Sequence, residues 1–350
     1  MELPQVTILI AAYNEREILL EKVRNCYALN YPADLLDILV VTDGSTDDSA
    51  DILQDLPLVR TMHLPKREGK LAAVNRAMKK VQSPIVVLTD ANCLLNKEAL
   101  ANIVRHYEDP KVGAVSGEKR VLATNDSSGQ GEGLYWKYES FLKKMDSDLN
   151  SVVGAAGELF SFRRELYEYL PAGIIIEDFV LAMNIAAKGY QVVYEPEAVA
   201  EEAPSSNLAE EWKRKVRICA GGFQAIGIFS YLLNPKKFNL LSFQFLSHRL
   251  LRWAVVPFLF PVVLVLSAWQ AMHGLVEYQF FLAIQCVGYG VAAMGLFYMG
   301  KDRLPKLVSI PFQFAMMNAA AYAGLVRFLK GSQSAVWEKA KRKIQVASLR

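Results

Sequence analysis

The stretch Ile85-Val86-Val87-Leu88-Thr89-Asp90-Ala91-Asn92 decides how the rest of the chain is read. An apolar, β-branched run that follows Pro84 predicts a short strand buried on both faces, the kind found in a mostly parallel sheet. The run ends on a carboxylate, a small residue and an amide. Oxygen ligands therefore fall at the carboxyl edge of the sheet, where open α/β sheets bind their ligands. Carboxylate and amide oxygens suit a divalent cation such as Mg²⁺ or Mn²⁺, often with a substrate diphosphate completing the shell. For this stretch alone, an ordinary strand followed by an Asx turn is the stronger reading. Its neighbours change the balance.

Upstream, residues 6–12 read as a first buried strand that stops at Tyr13-Asn14-Glu15, and residues 18–29 carry apolar side chains at helical spacing. Residues 36–42 form a second predicted strand, stopping at Asp43-Gly44-Ser45-Thr46-Asp47-Asp48, with a helix expected over 49–56. A third strand is expected over 59–64, then a helix over 70–81. Strands alternating with helices imply βαβ units and a largely parallel, right-handed sheet. Tyr13, Glu15, Asp43 and Asp90 then share one sheet edge. Each by itself is a good cap or turn residue, whereas three coincident strand ends favour a nucleotide cleft. Tyr13 can stack on a base, and Glu15 and Asp43 can accept from base N–H groups or ribose hydroxyls. Asp90 can hold a metal against a diphosphate. There is no P-loop and no G-x-G-x-x-G pattern, so metal charge and basic side chains must hold the phosphates. Lys70 is the candidate for that contact; a solvated lysine is an equal competitor.

These segments resemble the family-2 glycosyltransferases with the GT-A fold. The likeness is carried by residues 6–15, Val41-Thr42-Asp43-Gly44-Ser45-Thr46-Asp47, Thr89-Asp90-Ala91-Asn92 and Gly69-Lys70-Leu71-Ala72-Ala73-Val74-Asn75. It extends from about residue 5 to 225 and into the apolar part beyond. It implies an inverting transferase that uses a nucleotide-sugar, usually a UDP-sugar, with a divalent cation on Asp90 and Asn92. The usual metal motif is Asp-x-Asp. Asn92 ligates through a neutral oxygen, so weaker metal affinity is expected.

Residues 112–117 read as a strand and 129–144 as a mixed helix containing Trp136 and Glu139. The segment Gly154-Ala155-Ala156-Gly157-Glu158 follows. Small residues there allow close backbone approach to a ligand or tight packing. The resemblance implies that this side, with Gly154, Gly157 and Trp136, faces the acceptor. Glu177-Asp178 then lies between apolar runs, a costly place for two carboxylates unless they are paired or functional. A helix N-cap explains one of them. The pair resembles the family's acidic pair, which implies Asp178 as the base for the acceptor hydroxyl and Glu177 as its supporting carboxylate. The segment 210–224 is an amphipathic helix with a cationic face. It resembles the family's Q-x-x-R-W region, with Arg217 matching the Arg and Ile218 standing in place of the Trp. Arg217 is a candidate diphosphate contact or an interfacial arginine. The missing Trp puts processive synthesis in doubt.

Charge divides the chain. Residues 1–204 hold 21 basic and 31 acidic side chains, a net of −10, whereas residues 205–254 carry +6 and 301–350 carry +8. Residues 255–300 contain only Glu277. An acidic globular part joined to a basic, apolar part points to a membrane surface and away from nucleic acid. The expected layout is a catalytic domain over 1–204, interfacial helices over 205–249, a membrane domain with three hydrophobic helices over 250–329, and a basic tail over 330–350. Residues 250–272, 278–299 and 307–328 are each long enough for about 30 Å of hydrocarbon. Three crossings conflict with the positive-inside rule. With the catalytic domain cytoplasmic, they keep Lys301, Arg303 and Lys306 inside but export Lys339, Lys341, Arg342 and Lys343. One stretch is therefore expected to be re-entrant or interfacial. The N-terminus shows no signal peptide or anchor pattern. Cys26, Cys93, Cys219 and Cys286 are scattered, arguing against a disulfide framework or zinc site.

The expected activity is sugar transfer from a nucleotide-sugar to a hydroxyl of a glycan or lipid-linked acceptor, in exopolysaccharide or glycolipid synthesis. A multi-pass protein of the cell membrane, in contact with its lipids, is expected. The alternatives are a polyprenyl-phosphate sugar synthase and a catalytically silent membrane scaffold. Three spans are too few for a roomy glycan conduit, so export or polymerisation would need oligomerisation or a partner.

Overall fold

The structure is a computed structural model. It describes residues 3–53, 56, 59–122, 127–204, 207–298, 305–334 and 336, without the side chains of 127–135 and 306. Lys301, Arg303 and the tail cations Lys339, Lys341, Arg342 and Lys343 lie outside the described residues, as does the side chain of Lys306.

The first half follows the strand–helix alternation. The strands β1 (Val6–Ala12), β2 (Leu36–Asp43), β3 (Val59–Leu64) and β4 (Ile85–Asp90) pair in parallel in the order β3-β2-β1-β4. Alternate residues along them feed two cores. Leu9, Leu39, Val41, Val86 and Leu88 meet the helices α2 (Lys70–Met78) and α5 (Glu177–Ala187) on one face. Ile8, Ile10, Ile38, Val40 and Val87 meet α1 (Arg16–Tyr27) and α3 (Ala99–Val104) on the other. Both faces are covered, which is why these strands read as unbroken apolar runs.

Of the helix expected over 49–56, the described residues show a short 3-10 turn, Asp51–Leu53. The Asp47 carboxylate accepts from the backbone N–H of Ser49 (3.0 Å) and of Arg16 (3.1 Å). That local bonding ties the segment to α1 instead of starting a helix.

The sheet continues as β4-β7-β6-β8-β5, with β5 (Cys93–Leu95), β6 (Val112–Val121), β7 (Leu159–Arg163) and β8 (Gln191–Glu202). β7 runs antiparallel between β4 and β6, β8 is parallel to β6, and β5 is antiparallel to β8. The sheet is thus parallel in its first half and mixed in its second. A register shift at Gly117/Glu118 lets β8 carry on past Pro196 to Glu202. Helix α4 (Ser127–Leu149) contains Trp136.

Beyond the sheet come α6 (Leu208–Ile228), the turn α7 (Pro235–Phe238), α8 (Leu240–Phe245), a π-helical segment over Leu246–Val255, α9 (Val256–Met272), α10 (Val276–Met294) and α11 (Lys306–Leu329). Two helices among the described residues are long and apolar enough to cross a membrane: Leu240–Met272, continuous through the π segment, and Val276–Tyr298. The third expected span, 307–328, is helical but lies alongside α6. Leu208 packs with Val308, Phe312 and Met316, Val216 and Cys219 pack with Ala320 and Ala321, and Phe223 stacks on Phe328 at 6.4 Å. Gly324 permits the contact, since a Cβ there would lie 2.8 Å from the Ala220 nitrogen. α11 therefore sits level with a helix that carries Glu210, Glu211, Lys213, Arg214, Lys215 and Arg217.

Candidate active site

Strand register brings the predicted tips together. Ala12 pairs with Thr42 and Ala11 with Asp90, so Asp43 and Asp90 flank the exit of β1, where Tyr13 stands. Asn14, at φ 55°, turns the chain, and its side chain exchanges hydrogen bonds with Thr46 across the gap (2.7 and 3.2 Å). Glu15 caps α1, its backbone N–H donating to Ser49 Oγ at 3.0 Å.

Asp43 is buried and already bonded. Its Oδ2 accepts from the backbone N–H of Glu68 (2.9 Å) and Gly69 (2.6 Å), and its Oδ1 from Arg76 (2.8 Å). The carboxylate thus fixes the loop that opens α2 and aims Lys70. Arg67, from the same loop, lies over the Tyr13 ring at 3.7 Å. One face of the expected base-stacking residue is therefore covered by a guanidinium. Val336 also reaches this edge, with a methyl carbon 3.0 Å from where a Cβ on Gly69 would stand.

Lys70 joins the two halves of the site. Its ammonium is 2.7 Å from Asp90 Oδ1 and 3.5 Å from Glu177 Oε1. Burial works against its charge, but Asp90, Glu177 and Asp178 together hold it well above the ordinary lysine range. Asp178, in the first turn of α5, accepts from the Phe179 N–H at 2.8 Å. Burial, reinforced by Glu177, pushes its carboxyl up to about 6 against the opposing pull of Lys70. Gly157 lies directly against it: a Cβ there would be 2.8 Å from Asp178 Oδ2. Gly154, at φ 113°, lies beside Phe179 and Arg249. Of the predicted acceptor-side glycines, Gly157 thus borders Asp178 itself and Gly154 borders the next residue of α5.

A divalent cation fits the oxygen chemistry of this corner. Asp90 already binds a cation in the form of the Lys70 ammonium, and Asn92 follows two residues on with an amide whose N–H donates to Glu202 at 3.1 Å. Among the described residues, no three or more His, Cys, Asp or Glu side chains gather to hold a metal. The protein offers part of a shell, as expected where substrate phosphates supply the rest.

Arg217 and Trp136 make contacts of their own. Arg217 donates to the Ile175 carbonyl at 3.1 Å, and Gln224 bonds the backbone at Ile175 (3.0 Å) and Gly173 (2.9 Å). α6 thereby clamps the segment that delivers Glu177 and Asp178. The Trp136 ring lies 4.8 Å from the Lys119 ammonium.

Sequence reasoning missed three basic groups, two of them buried. Lys22, fully buried on α1, donates to Thr89 Oγ1 (2.9 Å) and the Cys93 carbonyl (2.7 Å), pinning both ends of the Asp90–Asn92 turn from below. The signal was present, since Lys22 falls in the buried stripe of Leu19, Val23 and Cys26. Lys119 is fully buried between Glu158 and Glu202. Burial would raise the Glu158 carboxyl, but Lys119 holds it down at about 2. Arg249, on the π segment, donates to the Val153 carbonyl at 2.7 Å and lies 5.4 Å from the Phe179 ring. Its partners are distant in sequence, so no local pattern announces it.

Comparison with known proteins agrees with this architecture. Residues 4–221 match the family described as glycosyltransferase like family 2. Similar proteins include poly-beta-1,6-N-acetyl-D-glucosamine synthases of Staphylococcus aureus (strain COL; 26% identity over 270 residues, 74% of this chain) and Staphylococcus epidermidis (24% over 286 residues, 79% of this chain). The match spans 65% and 68% of those relatives' own lengths, so about two thirds of each is represented. A solved structure, the mannosyltransferase PcManGT from Pyrobaculum calidifontis in complex with GDP-Man and Mn²⁺, superposes with a TM-score of 0.71 at 26% identity. It covers 95% of this chain and 89% of that one. With a family match over more than half its length and a glycosyltransferase structure superposing over 95% of it, the chain belongs to the family-2 glycosyltransferases and has the GT-A fold.

Proposed function

We propose that the protein moves a sugar from a nucleotide-sugar to a hydroxyl of a glycan or lipid-linked acceptor, with inversion at the anomeric carbon. The observation that carries this reading is the meeting of Asp90, Lys70, Glu177 and Asp178, contributed by β4, α2 and α5, at one point. Asp90 and Asn92 would hold a divalent cation, which supplies positive charge to the leaving diphosphate when bound. Lys70, already poised between Asp90 and Glu177, follows the developing negative charge onto the diphosphate. Asp178 takes the proton of the acceptor hydroxyl. Its carboxyl, near 6, is ionised at neutral pH yet more basic than an ordinary aspartate, which suits a general base. Glu177 keeps Asp178 basic and anchors Lys70. Gly157 leaves room for the acceptor oxygen beside Asp178 Oδ2. A phosphate acceptor would need no base, so the tuned Asp178 supports a hydroxyl over the polyprenyl-phosphate alternative. The relatives' naming as N-acetylglucosamine polymer synthases supports UDP-N-acetylglucosamine as the first donor to test, and the GDP-Man complex supports GDP-mannose as the second.

The protein works at a membrane, held by the hairpin of α9 and α10, with α6 and α11 lying along the surface. An even number of crossings returns the basic tail to the catalytic side and removes the conflict with the positive-inside rule. Val336 against Gly69 supports the same arrangement. The test is a panel of nucleotide-sugars given to full-length protein in detergent with lipid extract, with and without Mg²⁺ or Mn²⁺. Nucleoside diphosphate release is read for wild type and Asp178→Asn. Metal-stimulated release that is lost in the variant supports the reading. Equal turnover by both removes Asp178 from the mechanism, and silence toward every donor favours the scaffold.

A further inference from the structure

Asn92 stands where the family pattern has a second acid, and its surroundings explain the exchange. Its Nδ2 donates to Oε1 of Glu202 at 3.1 Å. The Glu202 side chain is fully buried, and its Oε2 lies 2.5 Å from the ammonium of Lys119, which is equally buried. Lys119 also pairs with Glu158, the residue after Gly157. Backbone register enforces the meeting, because β5 opens at Cys93 and Cys93 pairs directly with Glu202. An aspartate at position 92 would set a second carboxylate within hydrogen-bond distance of a buried one, with no N–H between them to donate. An amide avoids this. Glu202 Oε1 takes the N–H side of the amide, which leaves the carbonyl oxygen on the opposite branch.

We infer that Glu202, held by Lys119, is a positioning residue: it selects an amide at position 92 and aims the oxygen of Asn92 into the cation and diphosphate corner beside Asp90. The chain Asn92–Glu202–Lys119–Glu158, buried at its two middle members, also ties that corner to the glycine segment beside Asp178. The inference rests on reading the cleft as a nucleotide-sugar site.

Its test is Mn²⁺ binding to metal-free, full-length protein in detergent, alone and with UDP or GDP, read as free Mn²⁺ by electron paramagnetic resonance. Thermal unfolding is followed in parallel for wild type, Glu202→Gln, Asn92→Asp and the double variant. Glu202→Gln is expected to weaken Mn²⁺ about tenfold, the low end for loss of an outer-shell partner. Asn92→Asp is expected to lower the unfolding midpoint by about 3 °C or more. The double variant recovers that loss and binds Mn²⁺ at least as tightly as wild type. Glu202→Gln binding like wild type, or Asn92→Asp equally stable in both backgrounds, overturns the inference while leaving the donor site intact. Wild type that binds no Mn²⁺ under any of these conditions refutes the donor-site reading, and the inference falls with it.

Discussion

Replacing Gly157 by alanine separates folding from chemistry. The new methyl would stand 2.8 Å from Asp178 Oδ2, where ordinary contact begins near 3.4 Å, so about 0.6 Å must be found. The obstructing atom is the end of a side chain, and Gly157 is absent from the positive-φ glycines, so the backbone has no reason to resist. Asp178 yields by leaving its place. Misplacing a reacting group by about 1 Å costs on the order of 100-fold in rate, so a retreat of this size predicts a 10- to 100-fold fall in kcat. The unfolding midpoint should stay within about 2 °C of wild type, because the change at the fold amounts to less than about 1 kcal/mol. The assay is nucleoside diphosphate release with the donor identified by the panel, beside a thermal melt. Gly154→Ala is the control. At φ 113° a side chain is strained, and its Cβ would meet the Phe179 ring at 2.8 Å, so stability itself should fall, by about 1–3 kcal/mol. A Gly157→Ala protein with wild-type kcat would refute the placement of Asp178 at the reacting oxygen.

Other changes probe the supports of the site. Lys22→Met removes a buried ammonium that has only neutral hydrogen-bond partners, so the melting temperature should hold or rise while transfer falls as the Asp90–Asn92 turn loosens. A joint loss of stability and activity would make Lys22 purely structural. Asp178→Asn carries a pH signature in stability. A carboxyl raised from 3.8 to about 6 favours the folded state at low pH, and that contribution is lost as pH rises through 6. The variant should therefore melt higher than wild type at pH 8, with the gap closing toward pH 4; a constant gap contradicts the burial of this charge. For topology, single cysteines at Gly274 and Ser332, made in a background lacking the native cysteines, should label from opposite faces of sealed vesicles. Labelling from one face would exclude the two-crossing hairpin.

Much of this molecule was legible in its residues because its first half obeys local rules. Parallel strands covered on both faces must be apolar throughout, and their polar stops mark one edge, so Tyr13, Asp43 and Asp90 converge as expected. What escaped notice depends on pairings distant in sequence. β7 enters between β4 and β6 in the opposite direction, which no local pattern announces. Lys119 and Glu202 are charges within strand patterns, acceptable only because each buries against the other from separate strands. The π segment carries His248, Arg249, Arg252 and Trp253, whose partners are distant in sequence. Arg252 reaches Glu139 and Trp253 reaches Phe179. α11 reads as a membrane span by composition, and only its partner α6 shows how much of that apolar surface is used inside the protein. Arg217 matched a motif position, yet its bond to Ile175 makes it a clamp on the segment before Glu177.

The most direct test of the account is the pH dependence of kcat/KM for nucleoside diphosphate release between pH 4.5 and 8.5 with a hydroxyl acceptor. A base with the environment of Asp178 predicts an acid limb with its midpoint near 6, absent from the residual rate of Asp178→Asn. A profile flat down to pH 5, or one whose limb persists unchanged in the variant, would contradict the claim that this carboxylate takes the acceptor's proton.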